Sequence, residues 1–332
     1  NRILFAPFNN RSQLKLNLHR NIIQSKAYYK VDGKPYIITE WNHCYPNEYT
    51  VEGVPLMAAY AALQGWDGVL QFDFNLQTPA VNRIKNYTLS VSPEHLANWV
   101  MAAPLFLRGD LKTAPGLFLE SVSDSQIYSI PSYSSVLDKN HFLPFITKTA
   151  KTFSGKSSGN IGEFRKYYDE KTNIARSETG ELSIDGNTGV LQINSPRIQG
   201  VTGFIGKHKF DFPFFACSLS NTHASVYAVS ADGKSLKDSK RFFLVAVGPV
   251  KMSSQKYNSS RSVLTDVGKL PVLAQVLNGT ITFKNKSASG MTVVPLSLSG
   301  KKGDPLAVSE SGGNRVLDLS KGKTQVYEVT VK

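Results

Sequence analysis

The sequence predicts an α/β fold that gives way to an all-β one, and three observations predict it. Residues 35–75 alternate two strand-like apolar runs with one alanine-rich helical run. Beyond roughly residue 115 the texture changes to short apolar alternations. Those alternations are separated by turn signals such as Glu178-Thr179-Gly180, Asp185-Gly186-Asn187 and Ala231-Asp232-Gly233, the punctuation of sheets built from short strands.

In order along the chain, an apolar start at Ile3–Phe8 turns polar and basic, and His19, Arg20 and Asn21 are candidates to reach a substrate from a loop. Asp32-Gly33 is a turn signal that launches Tyr36-Ile37-Ile38-Thr39. That run is apolar and β-branched, as a parallel strand covered on both faces reads. It ends abruptly in Glu40-Trp41-Asn42-His43. Glu48 and Glu52 are expected in solvent or at the start of the next helix, where negative charge is favourable. Val54–Gln64 is that helix, with Pro55 suited to its first turn and Gly65 to its stop. Val69–Phe74 is the second strand, and strand, loop, helix and strand make one βαβ unit. Alternation places Gln71 and Asp73 on one face and Leu70, Phe72 and Phe74 on the other, with the polar pair expected to face inward near the mouth of a site. Trp66 and Asp67 lie at the opposite end of that strand, where a stabilising role is expected. Ser92-Pro93-Glu94 announces a further helix, whose Leu96, Trp99, Val100 and Ala103 form one packing face. Pro104 is expected to kink or stop it, and Arg108-Gly109-Asp110 to close it.

The all-β part begins with a strand-like region at Gly116–Val122, followed by a helical patch at Phe142–Phe153. Leu182–Asp185 and Gly189–Asn194 read as a hairpin, and Phe242–Val247 as a buried strand. Residues 251–268 are rich in Ser, Lys and Asn and read as a linker before a small all-β unit. The expected division is therefore 1–115, 116–250 and 251–332. Arg197 sits in a bend between strands, where an arginine commonly holds a loop by hydrogen bonds.

Composition narrows the function classes. A chain of 332 residues, 41% apolar and 11% aromatic, has ample material for a core. No run approaches the 18 or so apolar residues of a membrane helix. Cys44 and Cys217 form no metal or redox motif, and no metal or cofactor is expected. The 38 basic against 25 acidic residues give a net charge of +13, which favours anionic partners. The lysines are scattered singly, without a basic helix or an RNA- or zinc-binding pattern, which argues against nucleic acid and leaves an acidic glycan.

A strand ending Thr39-Glu40-Trp41-Asn42, then a long loop, an alanine-rich helix and a Gly65-Trp66-Asp67-Gly68 strand start resemble the last two strands of a clan A glycoside hydrolase barrel. The similarity is to β-galactosidase-like enzymes of the family 42 type, covers residues 30–110 best and is weaker over the β-rich remainder. It implies the carboxyl-terminal part of a (β/α)8 TIM barrel followed by β-sandwich domains. It implies Glu40 as the nucleophile of a retaining glycosidase, at the carboxyl end of a barrel strand. The acid/base that such chemistry requires has no place here, because too little chain precedes Glu40. The expected partners are thus a carbohydrate substrate and the amino-terminal remainder of the barrel, and the expected location is extracellular or periplasmic. Sugars combine apolar C–H faces with a rim of hydroxyls, so aromatic platforms beside paired polar groups suit them. Trp41, Asn42, His43, Tyr45 and Asp73 are the expected substrate-binding residues. A non-catalytic, glycan-binding relative of such a barrel is the alternative.

Overall fold

A computed structural model describes residues 5–15, 18–19, 21–74, 84–129, 135–153, 155–284 and 290–332. The first part runs α1 (Ile22–Ala27), β1 (Ile37–Trp41), α2 (Gly53–Gln64), β2 (Gly68–Gln71), α3 (Pro93–Leu107) and β3 (Leu117–Ser121). Short helices α4 (Asp124–Tyr128) and α5 (Val136–Lys139) lead to β4 (Lys148–Thr152), and α6 (Ile161–Arg165) follows. The chain then continues as β5 (Tyr168–Asp169), β6 (Ile174–Arg176), β7 (Leu182–Asp185), β8 (Val190–Asn194), β9 (Ile198–Gly203), β10 (Lys209–Asp211) and β11 (Phe215–Leu219). Next come β12 (Ala224–Ser230), β13 (Arg241–Val247), β14 (Val250–Ser253), β15 (Lys256–Tyr257), β16 (Leu264–Asp266) and β17 (Lys269–Ala274). The last strands are β18 (Gly279–Phe283), β19 (Thr292–Leu296), β20 (Ser309–Ser311), β21 (Asn314–Asp318) and β22 (Val326–Thr330).

The expected βαβ unit is present: β1 and β2 pair in parallel, Ile37 opposite Gly68, with α2 between them and α3 after. The expectation that this unit belongs to a TIM barrel is corrected. Strand outweighs helix, 34% to 20%, and large antiparallel sheets dominate, where a barrel needs about eight alternating helices. Among the described residues β1 and β2 pair with no third strand, while β3 pairs in parallel with β4 instead. One βαβ unit dictates its own geometry but not what its edges meet, and α3 packs on β12 and β13 rather than on a barrel wall.

Two large antiparallel sheets hold most of the rest, beside the two-stranded pairs β14–β17 and β15–β16. One has nine strands in the order β19-β22-β13-β12-β9-β8-β7-β6-β5, the other five in the order β10-β11-β18-β21-β20. Phe215, Cys217, Ile281, Phe283 and Leu317 of the smaller sheet share a core with Val226, Phe242, Leu244, Tyr327 and Val329 of the larger. Strands from either side of residue 250 interleave in both sheets. The β7–β8 hairpin forms as its alternation requires, Asp185 opposite Val190. Two expectations fail locally. Phe142–Phe153 is a single 3₁₀ turn at Leu143–Phe145 followed by β4, because Lys148–Thr152 pair as a strand with Thr149, Ala150 and Lys151 buried. Residues 251–268 contribute β14, β15 and β16, because polar side chains do not stop a backbone from pairing at the edge of a cluster formed by Tyr45, Met252 and Leu264.

Helix α2 is the centre of the packing, and all twelve of its residues are buried. Its alanines let neighbouring elements approach from every side, and Tyr60 meets Phe145 edge-on at 5.0 Å. A buried helix end leaves carbonyls that water cannot satisfy. Gly65 therefore turns into the left-handed region at φ 58°, Lys30 Nζ donates to the carbonyls of Gln64 (2.9 Å) and Gly65 (3.0 Å), and Thr113 Oγ1 donates to that of Ala62 (3.1 Å). Burial lowers the Lys30 pKa, while the nearby Asp67 opposes that shift. Helix α3 runs through Pro104 to Leu107, and the following Arg108–Asp110 pair clamps it to the sheet. Arg108 donates to Asp110 and to the Ser230 carbonyl (2.6 Å), and Arg197 reaches Asp110 at 3.2 Å.

The side chain of Gln64 ties α2 to β4. Its amide donates to the carbonyls of Pro144 (2.8 Å) and Thr147, and its oxygen accepts from Thr149 N at 2.9 Å. Gln64→Leu strands all three groups in a dry interior, at about 1–3 kcal/mol each. We expect a loss of about 3 kcal/mol or more in urea-induced unfolding; an unchanged midpoint and slope would show that these bonds do not hold the helix.

Candidate functional site

The first strand carries an irregularity that sequence alternation does not reveal. Ile38 faces Val69, but Trp41 faces Gln71, so three steps on β1 match two on β2. The extra residue is a β-bulge, a device that re-aims side chains and is common beside active sites. Strict alternation would place Glu40 on the same face as buried Ile38. With the bulge, Thr39 and Glu40 are both exposed, between buried Ile38 and Trp41. Glu40 thus stands in solvent at the carboxyl end of β1.

Asn42 fastens the two strand ends together. Its amide donates to the carbonyls of Phe72 and Tyr87, the latter at 3.0 Å, and its oxygen accepts from Gln71 Nε2 at 3.1 Å. Gln71 in turn lies 2.9 Å from His95 Nδ1 and accepts from Trp99 Nε1 at 2.9 Å. The polar face of β2 is therefore turned toward α3, and Leu70, Phe72 and Phe74 are the exposed set, the reverse of the inward-facing arrangement expected for Gln71. Asp73 exchanges backbone bonds with Tyr87 and Leu89, both at 2.8 Å, and its Oδ1 is shielded from solvent without a partner among the described residues.

The other predicted residues scatter. Trp41 is buried and lines an apolar groove with Val54, Met57, Leu70 and Trp99, so it packs rather than presents a platform. Tyr45 is buried against Ile84, Met252 and Leu264, and its hydroxyl donates to Gln255 at 2.8 Å. Asn21 is the buried cap of α1, accepting from Ile23 N at 2.8 Å, and His19 is exposed with its ring 5.5 Å from that of His141. Arg20, named with them, lies outside the described residues. At the opposite end of the strand pair Asp67 behaves as expected, its carboxylate accepting from Tyr36 N at 2.8 Å. Both cysteines are free thiols.

The loop after Glu40 does form one wall of a cleft of about 370 Å³. Residues 43–47 face the segment 6–13 across it, with Asn86 and Tyr87 at the end, and its polar groups include Asn9, Gln13, Asn47 and Tyr87. No carboxylate is among its lining residues within the described part of the chain.

Beneath this cleft lies a buried polar cluster that the sequence did not signal. Glu52 is wholly buried rather than solvated; it accepts from Ser12 Oγ at 2.9 Å and Gln13 N, and lies 3.2 Å from His223 Nε2. His223 comes from the start of β12, so this pair joins the cleft wall to the large sheet. Gly53 lets His43 lie against the helix start, since an added Cβ would fall 2.5 Å from His43 Cβ. Burial lowers the His43 pKa, with Glu52 pulling it the other way. Burial also drives His95 down to about 3 and Glu94 up to about 7, the latter accepting a hydrogen bond from Thr50 Oγ1 at 3.1 Å. Only a glutamate before an apolar run hinted at this cluster, and that pattern equally describes a solvated helix start. Among the described residues no group of His, Cys, Asp and Glu side chains is arranged to hold a metal ion. No helix among them is long and apolar enough to cross a membrane. No family model, curated protein or solved structure matches this chain.

Glu94 provides a pH test. Its pKa rises from 4.5 in the unfolded chain to about 7 in the fold, so the stability of its buried neutral form is full below pH 4.5 and is lost as pH rises through 7. Glu94→Gln keeps an acceptor for Thr50 and never ionises. The variant should match the wild type near pH 4 and exceed it by up to about 3 kcal/mol at pH 8. Parallel pH profiles of the two proteins in chemical denaturation would remove Glu94 from the account.

Proposed function

We propose that this chain belongs to a retaining glycoside hydrolase acting on an oligo- or polysaccharide, β-galactosides included, with Glu40 as nucleophile. The observation that carries this reading is the β1 bulge, which turns Glu40 out at the strand end from which the cleft-lining loop departs. In the reaction a Glu40 carboxylate oxygen bonds to the anomeric carbon as the glycosidic bond breaks, and water then releases the sugar from the glycosyl ester. The cleft contributes amide and phenol groups to hold hydroxyls. The reaction needs a second carboxyl group about 5–5.5 Å away to protonate the leaving oxygen. The cleft lining supplies none, so that role is assigned to further polypeptide packed on the open β1–β2 face, where Ile37, Leu70 and Phe72 are exposed. The same reading carries the proposal of an extracellular or periplasmic location, where polymeric glycans are met.

A dinitrophenyl 2-deoxy-2-fluoro-β-galactoside separates the steps, because its leaving group departs without protonation and the fluorine slows release. We expect one fluorosugar to become attached to the peptide containing Glu40, with Glu40→Gln slowing attachment by roughly 10³-fold or more. Peptide mass spectrometry reads the result; attachment elsewhere, or equal attachment in the variant, removes Glu40 as nucleophile. The carboxylate-free cleft also favours a second reading, glycan binding without turnover, and that reading predicts binding of the galactoside with no attachment at all.

A further inference from the structure

A second cavity, of about 650 Å³, opens on the far side of the same loop and is more basic than the cleft. Lys251, Lys256 and Arg261 line it, against a single carboxylate, Glu48. That carboxylate is already saturated: Arg261 Nε donates to it at 2.5 Å, Arg261 Nη2 makes a second bond, and Asn10 Nδ2 donates at 2.8 Å. Burial raises the Glu48 pKa, yet these bonds and the nearby Lys251 hold it below the ordinary value. Lys251 and Lys256 have no ion-pair partner among the described residues. Three cations against one carboxylate leave the cavity with an excess of two positive charges, carried by the two lysines.

The cavity and the cleft share a wall. Tyr45 and Gln255 are joined by a hydrogen bond, and Tyr257 donates to the carbonyl of Pro46 at 2.8 Å. Arg261 lies over the Tyr257 ring, 4.7 Å from its centroid, which fixes both the cation and an aromatic surface at the cavity edge. A neutral glycan has no use for unpaired cations. A nucleic acid would call for several stacking platforms and a basic stripe, and among the described residues Tyr257 is the lone aromatic lining this cavity.

We infer that the ligand of this trough is an anionic glycan, its ring held in the cleft and its sulfate or carboxylate substituents held by Lys251 and Lys256 in the adjoining cavity. The inference rests on the carbohydrate reading of the cleft and adds the substrate's charge to it.

Calorimetric titration of the full chain carrying Glu40→Gln tests it without turnover. The probes are a sulfated galactan hexasaccharide, its desulfated counterpart, an oligogalacturonate of equal length and a single-stranded DNA oligonucleotide. At least one anionic sugar should bind about tenfold or more tighter than the desulfated galactan, and which one does names the substituent. Lys251→Gln combined with Lys256→Gln should abolish that preference while leaving the desulfated galactan's affinity unchanged. Lys234→Gln with Lys237→Gln, on an exposed loop elsewhere, should leave all affinities as they were. Equal binding of neutral and anionic sugars overturns the inference and leaves the carbohydrate reading standing. So does a preference that survives loss of the two lysines, or DNA bound as tightly through them. Failure of every sugar to bind overturns both.

Discussion

The structure depends on burying one helix on all sides. All twelve residues of helix α2 are buried, so its polar ends must be satisfied chiefly by protein. That requirement recruits Lys30, Thr113 and the Gln64 side chain at its carboxyl end, and at its amino end it brings Glu52 into contact with Ser12, Gln13 and His223. Lys30, Thr113, the Ser12–Gln13 pair and His223 come from four separate segments. The demand for hydrogen-bond closure around one helix thereby joins the parallel strand pair to the large antiparallel sheet. Hydrophobic burial supplies the driving force, but it is non-directional, and these polar closures select the one arrangement.

What was legible in the sequence was local. Tyr36–Thr39, Val54–Gly65 and Val69–Phe74 carried their own periodicity and stop signals, and the βαβ unit they form is where it was expected. The turn at Asp185–Gly189 likewise set the β7–β8 hairpin. What was not legible was how these units meet. A parallel pair can open onto a barrel or onto nothing further, and no residue within it records which. Arg108-Gly109-Asp110 shows the same limit: its sequence marks a helix end, while the clamp it makes with Arg197 and Ser230 depends on a strand more than a hundred residues away.

The candidate site residues disperse for a related reason. Trp41, His43 and Tyr45 lie within five residues of one another and are chemically suited to sugars, but side chains that leave a strand end for a loop point in different directions. Trp41 enters the groove under α2 and α3, Tyr45 crosses to the β14–β17 hairpin, and His43 tucks against the helix start at Gly53. Only the loop backbone and its smaller polar neighbours remain to shape the cleft. Proximity in sequence specified which loop forms the wall; packing decided which side chains face it.

Three glutamates show how backbone geometry, and not residue type, divides the chemistry. Glu52 sits where a helix start is sealed, and its carboxylate is used up holding a chain segment and His223 in place. Glu94, in the first turn of α3, is sealed so completely that its neutral form is favoured up to about pH 7. Glu40 would share their burial if β1 kept strict alternation, because Ile38 on the same face is covered. One inserted residue in the pairing register reverses that outcome and leaves Glu40 accessible, while Trp41 returns to the core and anchors the strand beyond it. A carboxylate that is held by a rigid strand yet open to solvent is what attack on a sugar requires, since a buried one is neutralised or paired and a loop-borne one is poorly aimed. The bulge gives this to Glu40 alone of the three.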